Sequence, residues 1–109
     1  MPKFKVTSRP GQHDVVVRPS FETVKKTANA FKVENKTTGR IWVFMPAGVL
    51  DQNQKGVPDA VNVYPIDSGG DRDFSTWSGA VDGAYAFPIF CEETFGFAKA
   101  NSDPEFIVE

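Results

Sequence analysis

Ala30-Phe31-Lys32-Val33-Glu34-Asn35-Lys36-Thr37-Thr38-Gly39-Arg40-Ile41-Trp42-Val43-Phe44-Met45-Pro46 is the stretch on which the fold turns. Ala30 to Glu34 alternates apolar and charged residues, which puts Phe31 and Val33 on the inner face of a half-buried strand. Asn35 to Gly39 reads as a hairpin loop. Ile41 to Met45 is then a second strand of β-branched and aromatic side chains, stopped by Pro46, which cannot donate to a ladder. Within it Ile41, Val43 and Met45 oppose Trp42 and Phe44. One set enters the core, and the other is exposed or covered by a loop such as Phe74-Ser75-Thr76-Trp77.

The same pattern recurs in both directions along the chain. Lys3 to Thr7 alternates, and Arg9-Pro10-Gly11 marks a turn. His13 to Arg18 holds Val15-Val16-Val17 and stops at Pro19, and Phe21 to Lys26 is an extended segment ending in a turn at Lys26 to Asn29. Beyond Pro46, Ala60 to Tyr64 and Glu105 to Glu109 are further strands. Ala84 to Cys91 places Tyr85, Phe87, Ile89 and Cys91 on one face, with Pro88 opposite as the sign of an edge or a bulge. Ala47 to Pro58 reads as an irregular crossing with a short helical turn at Val49-Leu50. Asp67 to Gly83 reads as a Gly/Asp/Ser-rich loop pinned to the body by Phe74 and Trp77. Thirteen Val and four Ile stand against the single Leu50, beside ten Phe, and eight Pro leave no long stretch for a helix. The expectation is one all-β domain over residues 1–109, an antiparallel two-sheet Greek-key sandwich of seven or eight strands.

Composition removes several classes of function. Hydrophobic residues at 40% and charged residues at 24% place the chain among ordered globular domains. No apolar run approaches the ~20 residues of a membrane helix. The first residues hold no stretch of signal-peptide length, so the sequence as written reads as cytoplasmic, or as periplasmic or secreted if a signal has been removed. One Cys and one His leave no disulfide framework and no histidine-rich metal site. A net charge of −2 argues against nucleic acid as a partner. The charge is divided along the chain, +6 over residues 1–55 and −8 over residues 56–109. If that division survives on the surface, it favours self-association or a charged protein partner.

The order of these pieces resembles the cupredoxin-like sandwich. The resemblance rests on Phe31-Lys32-Val33-Glu34-Asn35-Lys36-Thr37, on Ile41 to Pro46, on a Gly-x-Tyr-x-Phe strand at Gly83-Ala84-Tyr85-Ala86-Phe87, and on a last strand at Phe106-Ile107-Val108. It covers most of the chain from Phe4 onward, through short motifs of low specificity. Members that hold a type-1 copper ion need two His and a Cys thiolate, with a weak axial Met. The family's spacing from Gly83 puts Ile89 where that Cys belongs, Cys91 follows two residues later, and no His or Met comes after it. His13 is the one imidazole. The resemblance therefore implies the scaffold without its mononuclear copper site and without a bound cofactor.

The remaining candidates each have an ordinary reading. Cys91 lies in phase with Tyr85, Phe87 and Ile89, and its neighbours Glu92 and Glu93 raise a thiol's pKa rather than lower it, so it reads as a packed core cysteine. Asp67, Asp71 and Asp73 are spaced like ligands for a hard cation, yet Asp and Gly are also what turns use. Glu92 and Glu93 point to opposite faces of a strand and are poorly placed as an acid–base pair. Asn35-Lys36-Thr37 matches a glycosylation sequon but reads as a turn. No Ser-His-Asp set and no phosphate loop is present, so no enzyme is expected. What is left is a small non-catalytic binding or interaction module, with Trp42, Phe44, Phe74 and Trp77 as its partner surface. The alternative is a protein handling copper or another soft metal through Cys91 and Met45, with His13 a weaker candidate, or through ligands shared across an oligomer.

Overall fold

The computed structural model describes residues 1–9, 11, 14–52, 55–59, 62–98 and 103–109. Among them are eleven strands and no α-helix. They are β1 (Lys3–Arg9), β2 (Asp14–Arg18), β3 (Phe21–Val24), β4 (Phe31–Lys36), β5 (Ile41–Phe44), β6 (Val63–Ile66), β7 (Asp71–Phe74), β8 (Gly83–Ala86), β9 (Ile89–Cys91), β10 (Gly96–Phe97) and β11 (Glu105–Val108). Three sheets result, in the orders β2-β1-β4-β7, β10-β9-β5-β6 and β3-β11-β8.

Inward phases follow the alternation of the sequence. Phe4, Val6, Phe31, Val33, Ile41 and Val43 are each wholly buried, because a two-residue period sends every second side chain to the same side. Phe87, Ile89 and Cys91 are buried in the same phase, and Tyr85 packs against the core beside them. The three sheets share one core. Phe4 of the first sheet meets Phe87 at 4.7 Å edge-on. Phe31, also of the first sheet, stacks on Phe106 of the third at 4.8 Å, and Tyr64 of the second meets Phe74 of the first at 5.3 Å. Such ring pairs add about 0.5–1.5 kcal/mol each beyond the burial of their surface.

Four expectations are corrected. The strands number eleven among the described residues, not seven or eight, because the segment Ala84 to Cys91 is cut in two and because β7 and β10 form in stretches not read as strand. The cut falls at Phe87-Pro88, where the missing Pro88 N–H leaves a gap between β8 and β9. Pairing is not wholly antiparallel, since β1 and β4 run parallel, as do β3 and β11. A parallel pair cannot be closed by a tight turn, and between β1 and β4 the chain passes through β2 and then into another sheet at β3.

The third correction concerns Asn35 to Gly39, which is a corner rather than a hairpin loop, since β4 and β5 belong to different sheets. The Asn35 side chain is fully buried there. Its Nδ2 donates to the carbonyls of Gly39 (2.9 Å) and Ile66 (3.0 Å), and its Oδ1 accepts from the Thr37 N–H (3.0 Å) and hydroxyl (2.7 Å). Gly39 is needed because a Cβ would come within 2.9 Å of the Glu93 backbone nitrogen.

The fourth concerns the two long connections. Asp71–Phe74 is not loop but strand β7, paired with β4 in a register that sets Phe74 opposite Phe31. The buried ring of Phe74 makes that pairing favourable despite the charged residues before it. Val49-Leu50 forms no helical turn. Leu50 bridges Thr76, and the Trp77 N–H donates to the Val49 carbonyl at 2.8 Å. The strand expected from Ala60 begins at Val63, and Ala60, Val61 and His13 lie outside the described residues.

Candidate functional site

The outer face of the second sheet is aromatic. In β5 the residues that alternate away from Ile41 and Val43 are Trp42 and Phe44, and the register sets Trp42 directly opposite Phe90 on β9 and Pro65 on β6. Phe90 is in turn opposite Phe97 on β10. Phe97 lies 6.0 Å from Phe44 and 5.6 Å from Phe90, and Phe95 meets Phe90 edge-on at 5.6 Å. Phe95 is 83% exposed, Phe97 55% and Phe44 37%. At the margin, the Trp42 indole N–H donates to Glu92 at 2.7 Å, and the Arg40 guanidinium lies 5.5 Å from the Trp42 ring while pairing with Asp67 at 2.9 Å. The face is thus an apolar centre with a polar margin, the anatomy of a protein-binding patch.

Beneath one end of this face lies the thiol of Cys91, fully buried. Burial first, and then the charge of Glu93, pushes it up to about 11. A thiol so placed carries almost no thiolate near neutral pH and is neither a ready nucleophile nor a ready ligand. Glu93 is tied down next to it. The Ser8 hydroxyl donates to this carboxylate at 2.6 and 2.7 Å, the Thr38 N–H donates at 2.9 Å and the Thr38 hydroxyl at 2.7 Å. These donors, Ser8 foremost, hold the Glu93 carboxyl below the usual carboxylate range. Glu92 and Glu93 serve different partners, Trp42 and the Ser8–Thr38 pair, but they do so from the turn after β9 and not from opposite faces of a strand as expected, since β9 ends at Cys91.

The other sequence candidates are scattered. Met45 is buried at the end of β5. Since Cys91 opposes Ile41, four positions earlier, the two sulfur-bearing residues are separated by about 13 Å along the strand. Phe74 belongs to the core and not to a surface, and Trp77 anchors its loop by donating from Nε1 to the Gly56 carbonyl at 3.1 Å. Of the predicted partner surface, only Trp42 and Phe44 are together on the aromatic face, and what flanks them is β9 and β10 instead of the Phe74–Trp77 segment. Asp71 and Asp73 approach Lys32 at 3.9 and 3.8 Å across the ladder, and Asp67 faces Arg40. Among the described residues no three His, Cys, Asp or Glu side chains are grouped to hold a metal ion, and no helix is long and apolar enough to cross a membrane.

Phe90, Phe95 and Phe97 escaped the sequence reading, although Phe95-Gly96-Phe97 carried a usable signal in two rings flanking a glycine. Comparison with known proteins found no family model and no curated protein that matches this chain.

Proposed function

We propose that this chain is a non-catalytic interaction module that self-associates through the aromatic outer face of β5, β9 and β10, on a two-sheet Greek-key sandwich of cupredoxin type. The sandwich reading treats β10-β9-β5-β6 and β3-β11-β8 as two parts of one sheet facing β2-β1-β4-β7. Its support is the continuity across Phe87-Pro88. The Phe87 N–H donates to the Pro104 carbonyl at 2.9 Å and the Phe44 N–H to the Pro88 carbonyl at 2.9 Å, and the inward phase runs unbroken from Tyr85 to Cys91.

The observation that carries the functional reading is the exposure of Phe95, Phe97 and Phe44 side by side. At the ~150–250 Å² typical of an aromatic side chain, these three leave roughly 350 Å² of ring surface in water. A standard interface buries about 800 Å² per partner around such an apolar centre. The occupant is a second copy of the chain. An uncharged centre meets its own image without like-charge repulsion, and paired two-fold contacts are the commonest route to an oligomer. Soft-metal handling within one chain is the weaker reading, because a ligand thiolate at Cys91 would be formed against burial and against Glu93.

Light scattering across a concentration series tests the proposal. The expected result is a mass that rises from one chain toward two, and a return to one chain in the double variant F95S/F97S with the melting temperature held. A mass of one chain at every concentration for the unmodified protein overturns it. Metal analysis of protein purified without chelator gives the other reading its chance, since stoichiometric copper lost in C91S would favour it.

A further inference from the structure

On the far side of the second sheet's end, where β6 and β7 meet the connection after β5, the surface opens into a pocket of about 340 Å³. Its walls include Tyr64, Arg72, Asp73, Asp51, Asn29 and Gln52. The Arg72 guanidinium lies 4.6 Å from the Tyr64 ring and 5.9 Å from the Phe74 ring. Arg9 and Arg40 both hold carboxylates, whereas Arg72 has no carboxylate partner among the described residues. Stacking fixes the plane of its N–H fork at the pocket and leaves the fork without an ion pair.

The rest of the wall decides the chemistry. Asp51 and Asp59 contribute two carboxylates against the single cation, while the carboxylate of Asp73 pairs with Lys32 on the other face of β7, so an anion meets a net negative surface. Asp59 accepts the Tyr64 hydroxyl, and burial together with that bond raises Tyr64 above the ordinary phenol range, so the hydroxyl stays protonated. Asp51 accepts the Gly56 N–H at 3.0 Å, and the Asn29 N–H donates to the Ser75 hydroxyl at 3.0 Å. What the pocket presents is a set of fixed acceptors interleaved with guanidinium and amide donors. A ligand group that both donates and accepts, and carries no charge, satisfies each of them. The volume lies at the small end of the range for small-molecule sites.

We propose that this pocket binds a neutral polyhydroxylated ligand of one or two sugar rings, its vicinal hydroxyls held between the Arg72 fork and the carboxylate of Asp51. The site is independent of the aromatic face, and its test does not depend on self-association. Glucose, galactose, mannose, maltose and cellobiose are each titrated into isotopically labelled protein while backbone amide signals are followed. The expected result is a saturable shift in the millimolar range for at least one sugar, confined to Asn29, Asp51, Arg72, Ser75 and their neighbours. R72Q is expected to weaken it by about tenfold or more, as loss of hydrogen bonds from a charged group does. R72K keeps the charge but lacks the fork, so it is expected to fall between the two with the same melting temperature. No sugar-dependent shift, shifts lying elsewhere, or unchanged affinity in folded R72Q each overturn the proposal. So does binding of inorganic phosphate or glycine at these amides without the sugars, which would show a charged ligand class.

Discussion

Cys91 and Glu93, two residues apart, show how one environment sets two chemistries. The thiol is buried and raised to about 11, chiefly by loss of water and then by the Glu93 charge. It should therefore resist a disulfide reagent such as dithionitrobenzoate at pH 8 in the native state and react at once in guanidinium; rapid native labelling would show that the burial is wrong. The carboxylate has the opposite behaviour. Its folded value is depressed by the Ser8 and Thr38 donors, so its stabilisation is present above the unfolded value of about 4.3 and fades as pH falls through the lower folded value. Glu93 is half-exposed, which screens the effect. E93Q is expected to cost about 1 kcal/mol at pH 7, with the difference from the unmodified protein vanishing in acid. Denaturant melts at several pH values check both the size and the sign.

At the scale of elements, the corner between β4 and β5 does what no strand can do for itself, since it carries the chain from one sheet to another while keeping buried polar groups bonded. Asn35 satisfies four partners there, one of them the Ile66 carbonyl on β6. Removing that amide takes the side-chain donor from the Ile66 carbonyl and the acceptor from the Thr37 N–H at once, while the Gly39 carbonyl keeps the Thr37 hydroxyl. N35A is expected to destabilise by about 2–4 kcal/mol, well beyond a surface substitution, and N35D to suffer similarly because a carboxylate cannot donate to the two carbonyls. Chemical denaturation measures each. The corner was legible only in part. Asn-Lys-Thr-Thr-Gly announces a change of direction through its turn residues, but the same residues suit a hairpin, and the choice depends on where Ile66 and Glu93 arrive from elsewhere in the chain.

For the molecule as a whole, the decisive feature is an aromatic core to which all three sheets contribute. Phe31 stacks on both Phe74 and Phe106, and Phe87 touches Phe4 and Phe106. No sheet can leave without exposing rings of the others, so unfolding is expected to be a single cooperative transition with coincident near- and far-ultraviolet signals. F106A is expected to lower stability by about 3–5 kcal/mol, through a cavity shared by the first and third sheets. An intermediate that retains one sheet's signal would contradict this shared core. The sign division along the chain did not become two charged faces in any simple way. Basic Lys32 of the first half is neutralised across the ladder by Asp71 and Asp73 of the second, as Arg40 is by Asp67.

Strand character over most of the chain, and which residues share a face, were determined by the sequence itself, whereas the choice of inward set in Ile41 to Met45 was not. The alternation that buried Phe31, Val33, Ile41, Val43, Phe87 and Cys91 is a local property, since successive side chains on an extended backbone point in opposite directions wherever the strand is placed. The same locality put Trp42, half-buried, and Phe44, exposed, on the opposite face. Which strands became neighbours was decided only by the tertiary structure, because pairing joins segments far apart in the chain and depends on which buried rings fit together. Asp71–Phe74 looks like loop by composition, and becomes strand because Phe74 finds Phe31. Tyr64, Arg72, Asp51 and Asn29 share no motif at all, and they form one pocket only because four separate segments converge.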